Sequence, residues 1–576
     1  MRNRNRSVHA RDVLARETGY VVKLHADHIR VALAFPNTYH VGMSNLGFQA
    51  AYRLFNAEPD VACERAFLPG LSERRGARSM PLVTVESGTP AGGFDVLAFS
   101  VSFEWDYPNV VTLLRMASLP VYASERSERH PLVVVGGAVS ILNPEPLAPF
   151  VDVFACGDGE VLIPRLAAAL RSFPGRRALL SSLSLEDGFY IPSFYEAAPA
   201  GGGVAGRHVP SPGCDAPVPV TRAVLRNVSA TDPPATSVFT PDTEFGARFL
   251  VEAVRGCPNL CRFCWAGYNY LPVRAFQADR VLRLAREARV HAGRAGLVSL
   301  ALGSHPELSR ILAGLRAMDY AISPASLRIE DITPGLVQSL VDSGERTITI
   351  APEAGSDRLR RVLGKKVTGA EILDRADMAF AGGIENLKLY FMVGLPTETD
   401  DDIVAIRELT VSIRDAMLAR ARSRGRAGRI IASVNPFVPK PGTPFQWLPM
   451  ERPQATSARV RRLRALVAGL DNVHFTIKSE RQSHYQALLS LGDRRLAPML
   501  AAASRYDGDF RRAVAETGVD LEAYVFRERP PDEWLPWDIV SGGPRAPFLR
   551  CELERTLRDS RSNPGGRRSD SGAASC

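Results

Sequence analysis

The stretch VRGCPNLCRFCWAGYNYLPVR, residues 254–274, carries three of the chain's eight cysteines, Cys257, Cys261 and Cys264, in the pattern Cys-x3-Cys-x2-Cys. With so few cysteines in 576 residues, a triplet at fixed spacing arises by chance in about one chain in a thousand. Thiolates are soft ligands, so the chemistry to weigh is metal chemistry. A structural zinc site needs four closed ligands, usually as two pairs. Here no fourth cysteine lies nearby, and the nearest downstream histidines, His291 and His305, form no ligand-like pair. An electron-transfer cluster would need a fourth ligand from elsewhere in the chain. Three soft ligands by themselves suit an iron–sulfur cluster with one iron left open. The neighbouring aromatics Trp265, Tyr268 and Tyr270 either shield such a centre or simply pack.

The elements that must position this loop read as α/β. Apolar runs at 28–36, 81–87, 94–103, 131–138 and 151–160 alternate with helical patterns such as NLGFQAAYRLFNA and YPNVVTLLRMASL. Alternation of this kind gives parallel strands joined by right-handed crossovers, a doubly wound sheet whose ligand sits at the strands' carboxyl ends. The Gly- and Pro-rich segment 197–220 reads as loop or linker. A second series of six strand-like runs follows, at RFLVEAVRG, 295–304, 325–331, 346–355, 385–396 and 429–439. That rhythm suits a partial barrel with its chemistry at the C-terminal strand ends. Between two of these runs, Thr333 is placed to cap a helix and Gly344 to stop it.

The expected division is an extension at 1–27, a doubly wound domain at 28–175, a linker at 176–245, a partial (β/α)6 barrel at 246–450, a mainly helical region at 451–560 and a disordered tail at 561–576. The five remaining cysteines, Cys63, Cys156, Cys214, Cys551 and Cys576, are scattered singly, which argues against a secreted disulfide framework and for a reducing cytoplasm. No apolar run is long enough to span a membrane. The net charge of +9 permits a nucleic-acid partner, although runs such as RSRGRAGR more often form solvated faces.

CPNLCRFC resembles the CxxxCxxC signature of the radical SAM superfamily, with the aromatic Phe263 before the third cysteine. The likeness extends along the barrel. LALGS stands where the family has its glycine-rich contact to the amino group of S-adenosylmethionine (SAM), here reduced to Gly303 and Ser304. IAPEAGSDRLRRVLGKK is similar to the fourth-strand segment, with Glu353 at the strand end and Lys365 where relatives often have Arg. MVGLPTETDDDI resembles the fifth-strand turn, with Gly394, Pro396 and Glu398, and NPFVPKPGTPFQW the sixth-strand segment near adenine.

The resemblance implies a 4Fe–4S cluster on Cys257, Cys261 and Cys264, and SAM against Phe263, Gly303, Ser304, Glu353, Lys365 and Gly394. It also implies cleavage of SAM to a 5′-deoxyadenosyl radical. Its partners would be SAM, a reducing electron donor such as flavodoxin or ferredoxin, and a substrate that the sequence does not name, nucleic acid included.

A doubly wound domain before such a barrel is similar to the cobalamin-binding group of the superfamily, and the whole chain to a subgroup without an assigned function. That group's histidine-ligating members carry Asp-x-His-x-x-Gly after the first strand. Here His40 is flanked by Thr38 and Met43 in place of the Asp and the Gly, so no second partner fixes the imidazole. The expectation is no histidine on cobalt, leaving cobalamin without a protein ligand or an empty scaffold as the two readings. The tail also lacks the Cys-rich segment of several subgroup members. The alternative from another class is a non-catalytic, cluster-containing protein that binds RNA or a partner.

Overall fold

The computed structural model describes residues 12–76, 80–173, 175–198, 206–544 and 546–561. The expected tail, 561–576, lies outside them apart from its first residue.

Six strands make the first sheet: β1 Ile29–Phe35, β2 Val61–Phe67, β3 Val96–Ser100, β4 Leu132–Gly136, β5 Val153–Ala155 and β6 Phe189–Tyr190. Their order is β2-β1-β3-β4-β5-β6, parallel except for the antiparallel β6. This is the doubly wound α/β sheet expected, and its strand order reverses between β1 and β3, where such sheets bind ligands. Two details depart from the sequence expectation. The run at 81–87 forms only an isolated bridge, Val83 to Pro90. Its place at the sheet edge belongs to β2, whose Arg65 is buried between Glu17 and Glu86, each at 2.7 Å. The sheet also continues into the expected linker, through helix Arg176–Ser184 and β6. Beyond it, β7 Tyr195–Ala197 pairs with β8 His208–Pro210, and β9 Val220–Thr221 with β18 Val540–Ser541 near the end of the chain.

The barrel strands are β10 Phe249–Arg255, β12 Arg294–Ser299, β13 Ala321–Pro324, β14 Thr347–Glu353, β15 Asn386–Val393, β16 Ile430–Pro436 and β17 Val473–Ile477. Short β11, Arg274–Ala275, runs antiparallel to β10. A parallel bridge from Leu327 to Ile350 joins the two four-stranded halves. Helices Ala278–Ala288, Leu308–Ala317, Pro334–Asp342, Gly369–Ala381, Asp400–Arg424 and Pro453–Val467 separate the strands. The side chain of Thr333 accepts from the N–H of Leu336 at the start of the third of these. Six βα units thus carry a seventh parallel strand, β17, inside the region expected to be mainly helical.

Alternation along each strand decides what fills the barrel. Val251, Leu297, Ile350, Leu389 and Val434 point outward and pack with helix residues such as Val281, Ile311 and Ala376. Their neighbours Glu252, Val298, Tyr390 and Asn435 therefore face inward, and each keeps partial solvent access. The barrel has an accessible interior, and the Oδ1 of Asn435 is buried there without a hydrogen-bond partner.

Candidate active site

Strand β10 is followed by Gly256, with a φ of +90° and no room for a side chain: a Cβ there would come within 2.5 Å of the Tyr270 carbonyl oxygen. The cysteine loop follows at the barrel's C-terminal mouth. Inside it the N–H of Cys264 donates to the Cys261 carbonyl at 2.8 Å, and the hydroxyl of Tyr268 donates to the Leu260 carbonyl at 2.9 Å. Two tethers then fix the loop. On one side the N–H of Arg262 donates to Leu363 at 2.8 Å, and its guanidinium reaches Val362 at 3.0 Å and Glu552 at 3.1 Å. On the other, Asn259 donates to Glu330 at 2.6 Å and accepts from Arg328 at 3.2 Å.

The three thiols are free and partly exposed. Burial pushes the Cys261 thiol up to about 12 against the opposing pull of the Lys365 ammonium. Burial raises Cys264 as well, opposed mainly by the N–H of Gly267 directed at its sulfur. Each of these two feels the charge of Cys257 and of Glu353. Among the described residues no three His, Cys, Asp or Glu side chains converge as they would on a single metal ion. A 4Fe–4S cluster gives each thiolate its own iron and needs no such convergence. The donor set therefore fits a cluster held by three thiolates and does not fit structural zinc.

Glu353 ends β14 with a φ of +69°, beyond a register shift in its pairing to β15. Such a shift re-aims a side chain, and strain of this kind gathers at functional sites. Its carboxylate lies 3.7 Å from the Lys365 ammonium. Gly303 packs on Asp331, where a Cβ would meet Oδ1 at 2.3 Å. Ser304 accepts from Arg328 at 2.9 Å, and Arg328 also binds Asp331 at 3.0 Å. The structure thus brings Glu353 and Lys365 to the cysteines and links Ser304 to them through Arg328. Phe263 instead packs among Leu363, Phe437 and Phe445. Gly394, with a φ of +75°, gives its N–H to the buried Glu398 at 2.7 Å. Sequence reasoning missed Asn259, Arg262 and Arg328. The one available signal was local: in LRIED, Arg328 precedes its partner Asp331 by three residues.

A cavity of about 500 Å³ opens between the first sheet and the barrel. It meets Leu33 of β1, Ser100 of β3, Gly136 of β4, the turn 157–160, the inward-facing Glu252 and Val298, and Tyr270. Tyr270 contacts Trp265 edge-on at 5.2 Å, and Trp265 follows Cys264 directly. No His, Cys or Met lines the cavity among the described residues. His40 is exposed on the short helix Tyr39–Met43 and does not reach it, so these residues offer cobalt no protein ligand.

Residues 47–192 match the family model for radical SAM proteins, N-terminal, and residues 251–410 the model for the radical SAM superfamily. An uncharacterised protein of Methanocaldococcus jannaschii is 27% identical over 418 residues, 72% of this chain and 79% of its own. The tRNA-2-methylthio-N(6)-dimethylallyladenosine synthase of Acidithiobacillus ferrooxidans is 31% identical over 191 residues, and the match spans only 41% of that enzyme. Among solved structures, the cobalamin-dependent S-adenosylmethionine radical enzyme OxsB superposes with a TM-score of 0.46 at 12% identity, over 69% of this chain and 56% of that one. The superfamily model falls on the strands that carry the cysteine loop, Glu353 and Gly394, and by the two matches, which together span more than half of its length, the chain belongs to the radical SAM superfamily, enzymes that work with a 4Fe–4S cluster and SAM.

Proposed function

We propose that the chain is an enzyme in which Cys257, Cys261 and Cys264 hold the cluster and leave one iron to SAM. Bound there, cluster and SAM would supply one-electron cleavage of the sulfonium to methionine and a 5′-deoxyadenosyl radical. The observation that carries this reading is the loop itself: three free, partly accessible cysteines within eight residues directly after the first barrel strand, with no closing fourth ligand among the described residues. The chain's own part is to hold and shield. Arg262 and Asn259 fix the two arms of the loop, and Phe263 closes its inner side against the core. Glu353 and Lys365 set a paired carboxylate and ammonium beside the cysteines, positioned for the amino acid end of SAM. The buried Oδ1 of Asn435 presents an acceptor to a donor entering the barrel. The electron is expected from a small donor such as flavodoxin or ferredoxin.

Anaerobic reconstitution tests the reading. The expected product is a brown protein with about four irons per chain, absorbing near 400 nm as thiolate-bound clusters do (roughly 4Fe per set of thiolates), that forms deoxyadenosine with dithionite and SAM. Cys261→Ala should lose both properties. Iron below about two per chain together with no deoxyadenosine defeats it, since a cluster of this type needs its full complement.

A further inference from the structure

We propose that the cavity between the first sheet and the barrel mouth is the substrate chamber of the reaction above, and that it takes an uncharged, largely apolar small molecule rather than a nucleotide, a phosphate ester or RNA. The inference rests on the radical SAM reading for the chemistry, but on the chamber's own walls for the class of ligand.

Position comes first. The cavity lies at the β1/β3 reversal of strand order, where doubly wound sheets bind ligands, and its volume of about 500 Å³ is that of an ordinary small-molecule site. Its far wall is barrel interior, through Glu252 and Val298, and Tyr270 joins it to the cysteine loop through Trp265. A molecule held here has one end on the first sheet and the other at the mouth where the cysteines lie.

Charge sets the class. Doubly wound sheets usually hold phosphates at a helix N-terminus, where the dipole and free N–H groups favour an anion. Here helix Gly159–Ser172 begins at this cavity with Asp158 at its cap and Glu160 in its first turn. Neither carboxylate caps the helix, since Asp158 makes no side-chain bond to its N–H groups, but both stand at its start, so an anion arriving there would meet negative charge. The arginines that reach them are committed: Arg255 to Asp158 at 3.0 Å, Glu160 at 2.8 Å and Glu252 at 2.7 Å, and Arg274 to Asp158 at 2.6 Å. No lysine or histidine lines the cavity among the described residues. A phosphate entering would find no unpaired cation and would face carboxylates, so its loss of hydration would go uncompensated.

Shape and polarity agree. Leu33, Leu54, Phe55, Ile141, Ile163 and Leu166 supply apolar walls. The side chain of Asn45 is engaged with the Phe48 N–H at 2.9 Å and with Ser102 at 3.1 Å. Gly136 and Gly159 are informative for what does not require them. A Cβ on Gly136 would meet only Ala155, at 3.8 Å, and one on Gly159 only Ile163 and Leu54, at 3.7 Å, ordinary contact distances. Neither residue needs a left-handed backbone. What a side chain there would take is the cavity itself, so the glycines keep bare backbone against the ligand.

The test uses the full chain and Nile red, an uncharged apolar fluorophore, titrated anaerobically with and without the reconstituted cluster. Saturable binding of one probe per chain is expected. Ala51→Phe and Gly159→Leu, which fill the cavity from two different helices, should each weaken it tenfold or more, with melting temperature showing which variants are folded. ATP and a short RNA hairpin should not displace the probe. Binding that is unchanged in folded variants overturns the proposal. So does displacement by ATP, by RNA, or by hydroxocobalamin, the last because it would make the cavity a cofactor pocket. The two readings fail separately: absent deoxyadenosine with intact probe binding defeats the enzyme reading alone, and the reverse result defeats the chamber alone.

Discussion

Burial raises the Cys261 and Cys264 thiols, and their charged forms would repel one another until iron takes the place of the protons. The loop must therefore hold its shape before the metal arrives, and side chains outside the signature do this. Asn259 is the most testable. It bridges Glu330 and Arg328, yet Arg328 keeps Asp331 and Ser304 without it. Asn259→Ala consequently orphans no buried charge and should cost about 1 kcal/mol of stability, the usual net worth of a hydrogen bond. The expected effect is instead on the cluster, which should be lost to a chelator several-fold faster than in the parent protein. Iron release timed by absorbance decay decides the matter, and an unchanged rate assigns the loop's rigidity to the Arg262 side alone.

At the scale of elements, the turn after β15 is built around a carboxyl rather than a loop of water. Burial pushes Glu398 up to about 8, against the opposing effects of the Gly394 N–H and Arg459, while Glu451 and Asp402 add to the rise. The folded state then holds a proton that the unfolded chain has already released above the ordinary carboxylate range. Stability should accordingly fall as pH climbs from that range to about 8, and level off beyond it. Glu398→Gln carries no such proton. Thermal melts of the pair should show the variant gaining on the parent across this window, and a constant difference would refute the assignment. How legible these elements were follows from where their partners lie. The cysteine loop and the cap at Thr333 declare themselves within a few residues, because ligation and capping are local. Strand β2 hides, since Glu64 and Arg65 break its apolar run and the partners of Arg65, Glu17 and Glu86, come from outside it. The short β17 alternates half-buried with exposed residues between two helical patterns, and only its pairing with β16 shows it to be a strand. The segment 81–87 is the converse case, an apolar alternation whose edge position was taken by another strand.

At the scale of the molecule, buried polar pins join the first domain, the barrel and the C-terminal helices. Glu145 of the first domain receives Arg494 at 2.8 Å and His208 at 2.9 Å. The second pin joins all three parts: Lys440, in the segment after β16, donates to Glu104 of the first domain and, at 2.9 Å, to Ser490 of helix Glu480–Leu491. Glu104 is 2% exposed, and only this pairing, with help from Ser490, keeps its carboxyl below the usual range against the cost of burial. Lys440→Met should therefore destabilise by about 3–5 kcal/mol, the cost of leaving a buried charge without its partner. Glu104→Gln in the same background removes that charge and should recover a large part of the loss, giving a coupling of roughly 0.5–3 kcal/mol between the two sites. Urea unfolding followed by tryptophan fluorescence measures the cycle. If the two substitutions simply add, the domains are held by their apolar surfaces instead; if they couple as expected, a buried ion pair fastens the first domain to the segment after β16.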